Sequence, residues 1–282
     1  MSADLKFSET AAHVRAHDRD RYLAALFAPR AVREGLMALY AFNCELERIP
    51  DLVSEPMLGE IRLQWWRDVL DGPRRDTATG NPLADAMAQA IEKHGLPVAL
   101  LRGMIDARSA DLDGGGFADI QALNAYLYKS EGAVFALSAQ CAGVPVKQAT
   151  PAANAAAIAR GIAGILLRLP RDAAAGRVML PLSLLAGNGV TAEEILAGEG
   201  SQGLEKVVDE LAGLARAALG DARAKIASLP RAARGVFAPL ATVERTLALV
   251  EKPGMDPLHD VVELNPLRRF IGIWRTSRSG RV

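Results

Sequence analysis

The sequence YAFNCELERIPD, residues 40–51, decides the fold class of this chain. Apolar side chains recur in it and just before it at steps of three and four residues, as on one face of a helix, which we predict over residues 29–53. Glu47 and Asp51 are four residues apart, so their carboxylates lie on the same helix face. Two such carboxylates could bind one hard divalent cation. The same spacing also fits an exposed acidic face beside Arg48 that binds nothing.

A second stretch, GIAGILLRLPRDAAAGRVMLP at residues 161–181, is also helical in character. Arg168 and Asp172 are four residues apart, and this spacing predicts a salt bridge between them. Pro170 lies between them, as Pro50 lies between the carboxylates of the first stretch. A proline inside a helix removes a hydrogen bond and clashes with the preceding turn, so both helices are predicted to kink and to misalign these side chains.

Helical periodicity recurs along the whole chain, whereas alternating β-branched residues are almost absent. A surface loop rich in Gly, Pro and Arg is predicted at residues 72–82. One all-α domain spanning residues 1–282 is therefore expected, with residues 1–17 and 276–282 flexible at its ends. The predicted helices cover residues 29–53, 56–70, 82–94, 97–112, 119–143, 151–169, 203–228, 231–251 and 257–274, with a short helix after Thr191.

The composition excludes several classes of function. The chain has 282 residues and is 50% hydrophobic, which is enough for a large core. Lys plus Arg and Asp plus Glu both number 33, so no net positive charge favours nucleic acid. Cys44 and Cys141 are isolated, as in proteins of reducing compartments, and the four histidines lack the spacing of zinc ligands. The charged N-terminus and the short apolar run at residues 132–146 favour a cytoplasmic protein over a secreted or membrane-spanning one.

The C-terminal segment, residues 266–282, differs in charge from the rest of the chain. It contains five arginines and no acidic residue. It is either a solvated end or a basic patch that contacts anionic lipid or a protein partner. The second interpretation predicts peripheral contact with the inner face of a membrane.

Five motifs follow one another along the chain: YLAAL at residues 22–26, YAF at residues 40–42, RLQWWR at residues 62–67, YLYKSEG at residues 126–132 and DAAAGRVMLP at residues 172–181. In this combination, over roughly residues 22–185, the chain resembles the squalene/phytoene synthase family. The resemblance implies an isoprenoid-synthase-type helical bundle with a central cavity, lined by the helices that contain Glu47, Tyr126 and Ile165. Active members join two prenyl diphosphates head to head, and aspartates on two facing helices hold the Mg²⁺ ions that neutralise the departing diphosphate.

Position by position, this chain departs from the pattern of active members. The first pair of metal-binding aspartates falls on Glu47 and Asp51, and the second pair falls on Arg168 and Asp172. An asparagine that active members carry one helical turn before the second pair falls on Gly164. A three-metal site needs on the order of four carboxylates within coordination distance, and these positions supply three carboxylates and a guanidinium.

The resemblance also implies positions that would contact a substrate. A stretch that carries hydroxyl groups for the diphosphate in active members reads DRDRY here, at residues 18–22, and retains only its tyrosine. By position, substrate contacts would come from Tyr22, Tyr126, Arg171 and Arg177.

The run from residue 41 to residue 66, together with Asp18, Tyr22 and Leu23, resembles one branch of the family in particular. That branch contains the mitochondrial complex I assembly factor with a squalene/phytoene synthase domain. It implies a protein without catalysis or a cofactor, which contacts subunits or assembly factors of a respiratory complex or binds an isoprenoid or other lipid. The alternative is a head-to-head prenyltransferase with degenerate motifs, in which Glu47, Asp51 and Asp172 bind Mg²⁺.

Overall fold

The computed structural model describes residues 3–72 and 79–282, with side chains described from residue 9 onwards. Every regular element in these ranges is helical, as predicted, and the β-type contact found there is an isolated bridge between Phe117 and Pro181. Residues 73–78 of the predicted loop lie outside the described residues. The α-helices are α1 (Ala3–His17), α2 (Arg19–Phe27), α3 (Arg30–Leu52), α4 (Pro56–Asp71), α5 (Pro82–His94), α6 (Val98–Asp113), α7 (Ile120–Leu127), α8 (Ala133–Cys141), α9 (Val146–Ala174), α10 (Leu182–Gly187), α11 (Ala192–Leu196), α12 (Gln202–Ala227), α13 (Arg231–Arg234), α14 (Val243–Val250) and α15 (Pro266–Ser279); a π-helical turn (Tyr128–Gly132) joins α7 to α8, and a 3₁₀ helix (Gly235–Thr242) joins α13 to α14.

Helix α9 runs through the middle of the molecule and packs against α8, α12, α14 and the π-helical turn. Its buried face is rich in alanine, so the neighbouring helices approach closely. At Gly161 a Cβ atom would lie only 2.3 Å from Leu127 Cδ2 of α7. By length and composition α9 is also able to cross a membrane, the only such helix in the described ranges, but 67% of its apolar window is buried within the protein. We therefore interpret α9 as a core helix.

Helix α3 is buried around its whole circumference along residues 35–44. There it packs against α1, α5 and α8. The single apolar face predicted from the sequence is too narrow a description, because this part of the helix lies inside the core. Towards its C-terminal end only Leu46 and Ile49 stay buried, while Glu47 and Asp51 line a groove.

The prolines inside α3 and α9 do not end these helices. Helix α3 continues through Pro50 to Leu52, and α9 continues through Pro170 to Ala174. Pro50 and Pro170 both stand close to the C-terminal end of their helix, so a bend at either one reorients only the last few residues. The two carboxylates of α3 line one groove, but Glu47 contacts Arg108 whereas Asp51 contacts Arg171 and Arg177.

Both ends of the chain, expected to be flexible, contain helices. Helix α1 packs against α3 and α5, and its Val14 is fully buried. Helix α15 packs against α2 and the 3₁₀ helix, and it buries Ile273 and Thr276. The C-terminal arginines are therefore carried by a docked helix.

Near the C-terminus, two predicted helices have different boundaries in the structure. The helix predicted at residues 231–251 is divided by the 3₁₀ helix, which contains Pro239. The helix predicted at residues 257–274 begins only at Pro266. There the side chain of Asn265 accepts hydrogen bonds from the first free backbone N–H groups, so the cap fixes the start of the helix.

Candidate functional site

A central cavity of about 130 Å³ lies between α3, α7, α9 and α14. Glu47, Tyr126 and Ile165 line it, as the family resemblance predicted. An engineered cavity of about 150 Å³ in a protein core holds benzene, so this cavity has room for a molecule of that size and not for two prenyl chains. Its wall is also strongly polar, because it includes the charged residues Asp20, Glu47, Arg108, Glu131, Arg160, Arg168 and Arg269.

A wider groove of about 500 Å³ adjoins the cavity, between the C-terminal ends of α3 and α9. Both acidic motifs open into it, together with the two arginines that the sequence assigned to substrate contacts. The two stretches recognised in the sequence therefore face each other across one groove. The charged residues that they contribute to its lining are Glu47, Arg48, Asp51, Arg168, Arg171, Asp172 and Arg177.

Arg177 joins the two acidic motifs. Its Nη2 lies 2.9 Å from Asp51 Oδ1 and 2.8 Å from Asp172 Oδ1. The same Asp51 accepts a second hydrogen bond from Arg171 Nη2 through its other oxygen. A guanidinium thus occupies the place between the motif carboxylates where a metal ion would have to lie.

The salt bridge predicted between Arg168 and Asp172 is not the main contact of this carboxylate. Arg168 Nε is 3.9 Å from Asp172 Oδ2, and the Arg168 side chain is 48% exposed. The closer partner is Arg177, and the reason lies in the turn that follows α9. Gly176 has φ +75°, and the backbone N–H of Arg177 donates to the carbonyl oxygen of Asp172 at 2.8 Å. This turn folds Arg177 back onto the end of α9.

Arg108 of α6, which sequence reasoning missed, holds the third motif carboxylate. Its Nη2 lies 2.9 Å from Glu47 Oε1. Its Nη1 lies 3.1 Å from Asp111 Oδ2 and donates to the hydroxyl oxygen of Tyr126 at 2.7 Å. Burial opposes its charge, but these three neighbours outweigh burial and raise the pKa of Arg108 well above its ordinary value. Burial also raises the pKa of Tyr126, so its hydroxyl stays protonated at neutral pH.

The remaining predicted contact residue, Tyr22, lies away from both the cavity and the groove. It is half-buried on the outer side of α2, beside Arg15 and Arg19. From the same DRDRY stretch, Asp18 and Arg21 are buried and Asp20 lines the cavity.

Four buried or mostly buried charges form a network at the wall of the cavity, which we call the buried quartet: Asp18, Arg21, Glu131 and Arg160. Arg21 lies 3.1 Å from Asp18 and 2.7 Å from Glu131. Arg160 lies 3.0 Å from each of the same two carboxylates. Burial works against ionised carboxylates, but the two arginines outweigh it and lower the pKa of both Asp18 and Glu131. These charges cancel one another, so Arg21 and Arg160 are not free to bind a diphosphate.

The buried quartet and Arg108 could not be found by motif reading. The contacts between distant residues that hold them join positions 29 to 142 residues apart along the chain. Glu131 stands inside the YLYKSEG motif, but a charge within a motif does not reveal which distant charge it meets. An unpaired charge in a predicted core helix, as at Arg160, is the one signal that the sequence offers.

The residues of the groove do not fit a Mg²⁺ site. Mg²⁺ needs oxygen ligands at about 2.0–2.1 Å in near-octahedral geometry, whereas each acidic motif residue is hydrogen-bonded to a guanidinium. Among the residues that the structure describes, no three acidic, histidine or cysteine side chains gather in a way that would hold a metal ion. The groove instead presents paired carboxylates and guanidinium groups, with Arg168 and Arg171 as its more exposed cations.

Comparison with known families places these departures in context. A model described as squalene/phytoene synthase matches residues 14–269. The chain belongs to the squalene/phytoene synthase family. Both acidic stretches and the buried quartet lie within the matched residues, so this family member carries arginine contacts at the family's own site.

The chain is similar in sequence to two kinds of protein, complex I assembly factors and phytoene synthases. The NADH dehydrogenase (ubiquinone) complex I, assembly factor 6 of Bos taurus is 30% identical over 266 residues, which cover 93% of this chain and 80% of the relative. Its counterpart from Mus musculus is 29% identical over the same length. A phytoene synthase from Thermus thermophilus is 31% identical over 209 residues, 72% of this chain and 69% of that protein.

Solved structures confirm the isoprenoid-synthase-type helical fold. A dehydrosqualene synthase in complex with a ligand superposes with a TM-score of 0.82 at 18% identity, covering 98% of this chain and 96% of that one. The squalene synthase HpnC from Alicyclobacillus acidocaldarius superposes with a TM-score of 0.76 at 22% identity, covering 91% and 98%. At these identities the likeness shows the fold alone.

Proposed function

We propose that this family member is non-catalytic and acts in the assembly of respiratory complex I through contacts with protein partners. The observation that carries the proposal is Arg177, which bridges Asp51 and Asp172 with hydrogen bonds of 2.9 Å and 2.8 Å. The assembly factors named above support it, since they match this chain over 93% of its length. Its partners would be complex subunits or other assembly factors, and its place would be the cytoplasm, next to the membrane.

The electrostatics of the groove favour this proposal over prenyl transfer. A departing diphosphate has to be neutralised by metal ions that carboxylates hold, and an arginine cannot release its proton to free such a carboxylate. The pair of Arg171 with Asp51 is largely exposed and contributes little. The pairs of Arg177 with Asp172 and of Arg108 with Glu47 involve side chains that are mostly buried, so Mg²⁺ would have to displace them.

The size of the cavity gives a second reason. A volume of about 130 Å³ with a charged wall offers less room than two prenyl chains need. It also disfavours an isoprenoid held inside the bundle, so a lipid ligand, if the protein has one, would lie in the groove or on the surface.

The test is complementation of a strain that lacks the gene. The double variant Glu47→Gln, Asp51→Asn removes two of the three motif carboxylates and should restore membrane NADH:quinone oxidoreductase activity as well as the wild type does. Purified wild-type protein, incubated with Mg²⁺ and farnesyl or geranylgeranyl diphosphate, should release no diphosphate above a heat-denatured control. An active squalene synthase serves as the positive control.

Two results would contradict the proposal. Formation of squalene, phytoene or a related product would identify the protein as a head-to-head prenyltransferase that uses Glu47, Asp51 and Asp172. Failure of the folded double variant to restore oxidoreductase activity would show that the carboxylates have a chemical role.

A further inference from the structure

The outer face of helix α15 is apolar and uncovered. Leu267, Phe270, Ile271 and Trp274 are 66%, 42%, 39% and 40% exposed. Their spacing of three, one and three residues places all four on one side of the helix. The opposite side, which includes Ile273, is buried against the rest of the protein. The helix therefore has two apolar faces: the inner face packs against the protein, and the outer face is exposed.

Positive charge surrounds this outer stripe. Residues 266–282 contain five arginines and no acidic residue. One of the five, Arg269, turns inwards and lies 3.0 Å from Asp20. The exposed arginines are Arg268, Arg275, Arg278 and Arg281.

The arginines and the stripe are in contact. The guanidinium of Arg278 lies 5.8 Å from the centre of the Trp274 ring. Tryptophan, arginine and aliphatic side chains together on one helical face are typical of helices that lie at the boundary between lipid headgroups and acyl chains.

We propose that α15 is a docking helix for the surface of an anionic lipid bilayer. Its 14 residues give a length of about 21 Å. Laid flat, the helix would place its apolar stripe about 5–10 Å into the headgroup region. The arginines would meet lipid phosphates there, and the absence of acidic residues matches a negative surface.

Helix α4 provides a contrast within the same molecule. Met57, Leu58, Ile61 and Trp65 also form an exposed apolar stripe, 39–70% exposed. Charges of both signs stand beside it, namely Glu60, Arg62, Arg67 and Asp68. A bilayer that recognises α15 by its charge should not recognise α4, so α4 supplies a matched control of equal apolar character.

The experiment measures co-sedimentation of the full-length protein with vesicles of phosphatidylcholine alone or mixed with phosphatidylglycerol. The wild type should bind the anionic vesicles, and binding should weaken when the salt is raised from about 0.1 M to about 1 M, because the Debye length falls from about 10 Å to about 3 Å. Arg275→Gln with Arg278→Gln should reduce the affinity by roughly fivefold for each arginine. Leu267→Ser with Trp274→Ser should reduce it at least about tenfold.

The control variant, Met57→Ser with Ile61→Ser on α4, should bind as the wild type does. The proposal is wrong if the wild type binds no vesicles, or binds neutral and anionic vesicles equally. It is also wrong if the α15 variants, shown to be folded by circular dichroism, bind as the wild type does, or if the α4 variant loses as much binding as they do. Substitution is preferable to truncation after Trp274, because truncation would remove the buried Thr276. None of these vesicle-binding measurements depends on complex I or on prenyl chemistry.

Discussion

Arg177 is the residue on which the chemistry of the groove depends. Its guanidinium makes hydrogen bonds to one carboxylate from each acidic motif. It reaches them because Gly176 adopts a left-handed conformation that turns the chain back. The motif DAAAGRVMLP shows the glycine and the arginine, but the sequence does not reveal that the turn delivers the arginine onto the aspartates.

Removal of the arginines should create weak metal binding, whereas we expect the wild type to bind no metal at this site. In the double variant Arg171→Ala, Arg177→Ala, the carboxylates of Asp51 and Asp172 are free to accept a divalent cation. We expect Mn²⁺ binding with a dissociation constant on the order of 1 mM, as for sites with few charged ligands. Electron paramagnetic resonance of free Mn²⁺ measures it. Adding Asp51→Asn should abolish the gain. Stoichiometric binding of Mn²⁺ to the wild type would contradict this account.

The buried quartet should make stability depend on pH on the acid side. Two arginines lower the pKa of Glu131 below its ordinary 4.5. The stabilisation is therefore complete above that value and is lost as the pH falls below it towards the folded-state pKa. Glu131→Gln should cost about 3 kcal/mol at pH 7, because it leaves two buried arginines short of a partner.

The measurement is thermal unfolding of the wild type and of Glu131→Gln between about pH 7 and about pH 3. The gap in melting temperature should narrow as the pH falls. Asp20, whose pKa is raised by burial and by the carboxylate of Asp18, has the opposite slope. Because Asp20 is present in both proteins, its titration does not explain a change with pH in the difference between their melting temperatures. If the difference in melting temperature between the two proteins stays constant with pH, Glu131 stabilises the fold through packing and not through its charge.

At the scale of elements, α9 explains both the success and the limits of the sequence analysis. Its alanine-rich helical pattern predicted a helix with close neighbours, and the structure confirms it. The predicted bounds, residues 151–169, are too narrow, because the helix begins at Val146, directly after Pro145, and continues to Ala174. A proline in the first turns of a long helix is tolerated, so its position alone does not fix a boundary.

Two glycines of α9 should respond oppositely to alanine. At Gly161 the new Cβ would lie 2.3 Å from the buried Leu127 side chain, so Gly161→Ala should destabilise the protein by about 1–3 kcal/mol. At Gly164 the nearest atom is Arg168 Nη1 at 3.2 Å, at the end of a half-exposed side chain that is able to move. Gly164→Ala should therefore stabilise the helix by up to about 1 kcal/mol. Urea unfolding of the two variants provides the comparison, and equal effects would show that helix packing at Gly161 is looser than described.

At the scale of the whole molecule, the order of the motifs was enough to predict the fold and the family, because the family pattern is carried by short stretches in sequence order. What the sequence could not predict is how distant charges pair. Asp20 and Arg269 lie at opposite ends of the chain and are 3.0 Å apart in the fold. The same holds for Arg108 with Glu47, a contact that depends on how α6 packs beside α3. Such pairs depend on how the helices pack in the bundle, and they produce no periodic pattern in the sequence.

The interlocking of arginines and carboxylates has a consequence for the history of this lineage. An ancestor's metal chemistry would not return by a single reversion, because an aspartate at position 168 would leave Arg108, Arg171 and Arg177 in place. Each single substitution on the way would leave a charged side chain without its arginine partner. Loss of Arg108 alone would remove the guanidinium that contacts Glu47 and Asp111, which would lower the free energy of unfolding by about 3–5 kcal/mol. Whole domains are stable by only about 5–15 kcal/mol. If the protein is non-catalytic, as proposed, such intermediates would fold poorly before any benefit appeared, so a return to metal chemistry would need several substitutions at once.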